Sequence, residues 1–147
     1  MMASSHVFAV PGYAARPAKY ASGNLGIPDG EGMTFQGFGG SDNWYHFPIT
    51  VPLILNGNML RCSAIGVTLE LDEFAFLRSI WAFDATGNFF QGPDIKISGV
   101  FKYGSPGLTF FELYPPHPVI GWLGISVYLS FDEDSTVKFT GASASFE

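Results

Sequence analysis

The run Gly121-Trp122-Leu123-Gly124-Ile125-Ser126-Val127-Tyr128-Leu129-Ser130-Phe131 constrains the chain more than any other. Leu123, Ile125, Val127, Leu129 and Phe131 alternate with Gly124, Ser126, Tyr128 and Ser130, and Trp122 precedes them on the second face. Successive side chains on a strand point to opposite sides, so a strict period of two over this length predicts a half-buried β-strand. Much of the chain has the same texture. Ile65, Val67, Leu69 and Leu71 alternate with Gly66, Thr68 and Glu70. Between Phe74 and Asp84 both faces are largely apolar, which predicts a central strand with Ala75, Leu77, Ser79, Trp81 and Phe83 on one side. Arg78 falls on the other side, with Phe74, Phe76, Ile80 and Ala82.

Turn chemistry separates these runs: Asn56-Gly57, Asp72-Glu73, Ala85-Thr86-Gly87-Asn88, Gly104-Ser105-Pro106-Gly107 and Asp132-Glu133-Asp134-Ser135. Proline breaks the ladder at Pro48 and Pro52, which suits an edge strand, and at Pro115-Pro116-His117-Pro118, which is expected to end the strand from Leu108 to Tyr114. The resumed strand after Gly92-Pro93-Asp94 is expected to point Ile95, Ile97 and Val100 inward. No segment keeps a 3.6-residue apolar period over a dozen positions. Short strands joined by such turns predict an all-β, single-domain antiparallel β-sandwich, jelly-roll-like. Its body is expected over residues 41–147. Residues 1–40 are loop-rich, with short strands expected at His6–Val10 and Met33–Gln36, and read as an N-terminal arm packed on the domain or a neighbouring subunit, or as a lid over a ligand site.

At 147 residues the chain suits one domain, and a domain this long buries roughly 68–70% of its unfolded surface without needing a disulfide or metal. Charged residues are 14% of the chain, against about 25% in an average soluble domain. Together with 16% aromatics, this low charge favours self-association, a homodimer in the simplest case, or an apolar binding site. A net charge of −6 with seven Lys and Arg argues against nucleic acid and against anionic membranes. The single Cys62 permits no intrachain disulfide. The opening Met1-Met2-Ala3-Ser4-Ser5-His6 has no basic stretch and no long apolar stretch, so no signal peptide is expected and a cytoplasmic location is the default.

Asn43-Trp44-Tyr45-His46-Phe47-Pro48-Ile49-Thr50-Val51-Pro52, Pro115-Pro116-His117, Leu123-Gly124-Ile125-Ser126 and Phe139-Thr140-Gly141-Ala142 resemble a family of small microbial proteins. In that family an N-W-F-H-x-P-I-x-x-P-type segment precedes a strand-rich body and a G-L-G-I-S-type strand. The similarity spans roughly residues 41 to 147, with Tyr45 where phenylalanine is usual. It implies no catalytic residue.

Chemistry-bearing residues are few. His6, His46 and His117 have neither H-x-H, H-E-x-x-H nor C-x-x-C spacing around them, so no metal and no cofactor is expected. No G-x-S-x-G elbow is present, and Cys62 on a strand reads as a buried, inert thiol. His46, Glu70, Glu112 and His117 are the candidates for acid–base work, if a cavity brings them together. A Glu70–Arg78 ion pair across two strands is the structural alternative for that carboxylate. Trp44, Tyr45, Trp81, Tyr114, Trp122 and Tyr128, with Arg78, are the candidates for ligand contact, because Trp and Tyr combine a flat apolar face with one hydrogen-bonding atom. The favoured function is binding of a small ligand, a carbohydrate or an apolar aromatic molecule, in an aromatic-lined groove. One alternative is a small cofactor-free enzyme of cyclase or isomerase type that acts on a hydrophobic substrate by shape and acid–base groups. The other is a structural or assembly protein.

Overall fold

A computed structural model describes residues 6–18, 26–28, 30, 32–52, 54–55, 57–101 and 109–147. The chain begins with β1 (His6–Pro11), a 3-10 turn at Gly12–Ala14, β2 (Arg16–Pro17), β3 (Ile27–Pro28), β4 (Met33–Gly37) and β5 (Ser41–Ile49). A small hairpin of β6 (Ile54–Leu55) and β7 (Asn58–Met59) leads to β8 (Arg61–Leu71) and β9 (Ala75–Asp84). The remaining strands are β10 (Gly87–Gln91), β11 (Val100–Phe101), β12 (Phe110–Pro118), β13 (Leu123–Phe131) and β14 (Ser135–Phe146).

Two antiparallel sheets form a sandwich of the expected all-β kind. The five-stranded sheet runs β10–β9–β13–β5–β2. The seven-stranded sheet runs β11–β8–β14–β4–β3, with β12 also on β8 and β1 also on β14. The free side of β8 is shared: β12 pairs with Arg61–Gly66 and β11 with Leu69 and Glu70. β14 is shared in the same way, by β4 along Ser135–Phe139 and by β1 along Gly141–Phe146. At that handover the backbones crowd. A Cβ on Gly12 would lie 1.7 Å from the Phe139 carbonyl oxygen and one on Gly32 would lie 1.9 Å from it, so only glycine fits either position.

Alternation decides the core. Leu123, Ile125, Val127, Leu129 and Phe131 are all buried between the sheets, as the sequence pattern requires. The sheets interlock around Phe139 of the seven-stranded sheet. Its ring centroid lies 5.0 Å from Tyr45 and 5.2 Å from Phe47 of the five-stranded sheet, and 6.2 Å from Phe35 beside it.

Three expectations change. Both sides of β9 are apolar, but a bulge at Arg78 shifts its register against β13, so that Leu77 faces Leu129 while Ser79 faces Tyr128. A bulge reverses the alternation beyond it. Ala75 and Leu77 therefore share the core with Ile80 and Ala82, while Ser79, Trp81 and Phe83 turn outward with Phe76. Second, β12 does not end at Pro115. A register shift between Glu112 and His117 lets the strand pass its donor-less prolines and pair again at His117 and Pro118. Third, Val100 is exposed and Phe101 is buried, because β11 sets Phe101 opposite the inward Leu69. The loop-rich N-terminal segment supplies strands to both sheets: β1 and β4, at the two short strands expected there, with β3 to one and β2 to the other. The turn at Gly104–Gly107 and Asn56 of the β6–β7 turn lie outside the described residues, whereas Gly57 of that turn has φ +79°.

Phe139→Ala removes the ring shared by both sheets. It is expected to lower unfolding stability by about 3–5 kcal/mol, read as a reduced denaturation midpoint with an unchanged slope.

Candidate functional site

The outer side of the five-stranded sheet carries side chains in rows fixed by register. Trp44, Tyr128 and Ser79 form one row across β5, β13 and β9. His46, Ser126 and Trp81 form the next, extended by Arg16 on β2 opposite His46 and by Gln91 on β10 opposite Trp81. Pro48, Gly124 and Phe83 form the third. Neighbours in a row stand one strand spacing apart, so such side chains touch. The Trp44 ring lies 5.0 Å from Trp81 and 4.8 Å from Tyr128, and Trp81 lies 6.2 Å from Phe83. These contacts make a continuous, half-buried aromatic surface. The Trp81 indole N–H donates to Ser79 Oγ at 3.0 Å. A hydrogen bond to Asp42, partial burial and the Asp42 charge raise the Tyr128 phenol above its ordinary value.

Beside this surface lies an open cleft of about 720 Å³, lined by Arg16, His46, Pro48, Phe83, Trp122, Gly124 and Ser126 among others. Gly124 leaves its floor bare, and a Cβ there would sit 3.5 Å from the Trp122 ring. Trp122 is 55% exposed and stands as one wall. His46 is exposed on β5, and its Nδ1 is hydrogen-bonded to the buried Ser126 Oγ at 2.7 Å. Partial burial lowers the pKa of the His46 imidazole. That shift favours the uncharged ring, whose second nitrogen is a donor or an acceptor according to tautomer.

Trp122 is held in place from the far end of β9. The enclosed Asp84 carboxylate accepts bonds from Thr86 N (2.8 Å), Thr86 Oγ1 (2.6 Å), His117 Nε2 (2.8 Å) and Ile120 N (3.1 Å). Ala85 N donates to Ile120 O at 2.9 Å and Trp122 N to Ile120 O at 3.0 Å. Gly121 takes φ +82° between them, a conformation that favours glycine. His117 is stacked flat on Phe89, with centroids 4.0 Å apart. One carboxylate thus ties the β9–β10 turn, the end of β12 and the loop bearing Trp122. Burial alone would raise the Asp84 carboxyl, but the bonds from Thr86, His117 and Ile120 outweigh it and hold the group below its ordinary 3.8.

No family model and no curated protein matches this chain. Its fold is similar to a solved structure described as "xylan-binding module CBM15", with a TM-score of 0.54, 12% sequence identity, and 97% of each chain covered. At that identity the likeness speaks for the β-sandwich alone.

The structure brings together Trp44, Trp81 and Tyr128, and places His46 and Trp122 in the adjoining cleft. Tyr45 is not with them. It is the neighbour of Trp44 on a regular strand, so it faces the core, where burial pushes its phenol up to about 12. Arg78 is at the other end of the sheet, where Nε donates to Ile95 O at 2.8 Å and Nη1 to Ser130 Oγ at 3.4 Å. No Glu70–Arg78 pair forms, because Glu70 is on the seven-stranded sheet, opposite Lys138. Glu112 and the 99% exposed Tyr114 lie on β12, away from the cleft. The four acid–base candidates do not converge on this cleft: His46 stands on one sheet's outer side and Glu70 on the other's, while Glu112 and His117 line a separate pocket along β12 with Phe89, Phe90 and Tyr114. Cys62 is buried, and burial pushes its thiol up to about 12 against a hydrogen bond to Ala64 O. Among the described residues no three His, Cys, Asp or Glu side chains are placed to hold a metal ion. No helix there is long and apolar enough to cross a membrane.

The site residues expected from the sequence do not include Arg16, Phe83, Ser126 or Asp84, although Asp84 stands out there as a carboxylate beside a strand. Alternation along β13 does put Ser126 on the side of Tyr128. Nothing in the sequence marks Arg16, which lies in the loop-rich segment, or joins Asp84 to His117.

A group whose folded pKa is depressed contributes stability above its unfolded pKa and loses it as pH falls through the folded value. Wild-type protein is therefore expected to lose stability below about pH 4, and Asp84→Asn to flatten that decline. At pH 7, Asp84→Ala is expected to cost roughly 2–3 kcal/mol, measured by denaturant titration at each pH.

Proposed function

We propose that the outer side of the five-stranded sheet binds a carbohydrate, without chemical conversion. The reading is carried by one juxtaposition: an exposed Trp122 ring and the His46–Ser126 pair share a single open cleft. A sugar ring has apolar C–H faces and hydroxyl edges. Trp122 and Phe83 would pack on such a face, and His46 would meet the hydroxyls with its free ring nitrogen. The half-buried Trp44–Trp81–Tyr128 surface continues the same side and would let a chain of sugars run past the cleft. The fold's likeness to a xylan-binding module supports the reading and makes neutral xylo-oligosaccharides the first ligands to try. Of the acid–base candidates His46, Glu70, Glu112 and His117, His46 alone lines this cleft, which favours binding over the enzyme alternative there.

Isothermal titration with neutral xylo-, cello- and manno-oligosaccharides tests it. Binding of at least one is expected, and Trp122→Ala is expected to weaken it about tenfold with the fold intact. Glu112→Gln, remote from the cleft, is expected to leave Kd unchanged. Absence of binding by every sugar, or equal Kd for Trp122→Ala, would overturn the proposal.

A further inference from the structure

The cleft is unlike the rest of the chain in charge. The protein has 13 Asp and Glu against 7 Lys and Arg. Yet among the described residues that line the cleft there is no carboxylate and one full cation, Arg16. Arg16 is exposed on the edge strand β2, opposite His46 in the ladder and so next to the His46–Ser126 pair. Its Nη1 donates to the carbonyls of Tyr13 (3.1 Å) and Ala15 (3.0 Å), in the turn just before it. Those bonds anchor one arm of the guanidinium to the backbone. Among the described residues nothing pairs with Nε or Nη2, the donors along the other edge of the fork. An anchored guanidinium loses less side-chain freedom on binding than a loose one, and its planar fork fits a carboxylate in two parallel bonds.

We infer that the cleft takes an acidic glycan, one carrying a uronic acid whose carboxylate pairs with the free edge of Arg16. The inference rests on the carbohydrate reading and deepens it. The sugar ring packs against Trp122 while its carboxylate reaches toward β2, so aromatic contact and charge pairing act on one residue of the glycan. Lysine at position 16 would keep the charge and lose the fork.

The test compares two ligands that differ in one group. One is a xylo-oligosaccharide with a single glucuronic acid branch. The other is the same molecule with its carboxyl reduced to a primary alcohol. Wild-type protein is expected to bind the acidic form about tenfold more tightly. Raising NaCl from about 0.05 to 0.5 M is expected to erode that preference and leave the reduced form unaffected. In Arg16→Gln the ratio of the two Kd values is expected to fall to about one, with Arg16→Lys between. Circular dichroism and thermal melts confirm the fold of both variants, and the salt titration on wild-type protein needs no variant. Equal binding of the two forms by wild-type protein would overturn the inference and leave the carbohydrate reading standing. So would an unchanged ratio in Arg16→Gln. Binding of neither form would remove both.

Discussion

β13 is hydrogen-bonded on both sides along nearly its whole length, to β5 through nine register pairs and to β9 through eight. Everything else in the five-stranded sheet depends on that registry. It sets Leu123, Ile125, Val127, Leu129 and Phe131 against the seven-stranded sheet. It also sets Ser126 between His46 and Trp81, Tyr128 between Trp44 and Ser79, and Gly124 between Pro48 and Phe83. A slip by one residue would expose the aliphatic set and bury the polar one, so burial enforces the alignment. Core and cleft are consequences of the same pairing.

The two outer sides of the sandwich differ in kind. On the seven-stranded sheet the outward positions include Thr68, Gly66, Ser143 and Ser145, small residues that leave a shallow surface. On the five-stranded sheet they include Trp44, Trp81, Phe83, Tyr128 and His46, set among smaller residues. The bulge at Arg78 deepens this contrast, because it turns Trp81 and Phe83 to the side where Trp44 and Tyr128 already stand. The Asp84 carboxylate then fixes the loop that carries Trp122 to the same end of the sheet. Strand registry positions the floor of the cleft, and a buried hydrogen-bond cluster positions its wall.

How much of this was legible in the sequence follows from the range of each signal. Alternation is local, so β13 and the inward set of β8 could be read directly, and Trp122 and Tyr128 could be assigned to the outer side. Trp44 and Tyr45 are adjacent, and a strand must send them to opposite sides; both being aromatic, composition gave no means to choose. Tyr45 went inward because Phe47 and Ile49 share its phase. The β9 bulge was invisible because both phases of Phe74–Asp84 are apolar, and either could serve the core. Arg16 met His46 only through pairing of β2 with β5 across 29 intervening positions, none of which announces that pairing. Asp84 and His117, 33 residues apart, join through a turn, an edge strand and a loop, and none of these declares its partner in sequence.

The central claim is that ligand contact belongs to the outer side of the five-stranded sheet. The most direct measurement is backbone amide chemical-shift mapping of the folded protein by NMR during titration with a xylo-oligosaccharide, neutral or glucuronic acid-bearing, whichever binds. Shifts are expected to cluster at residues 16, 44–48, 81–83 and 122–128, with 63–68 and 141–145 unmoved. Shifts confined to the seven-stranded sheet or to β12 would contradict it.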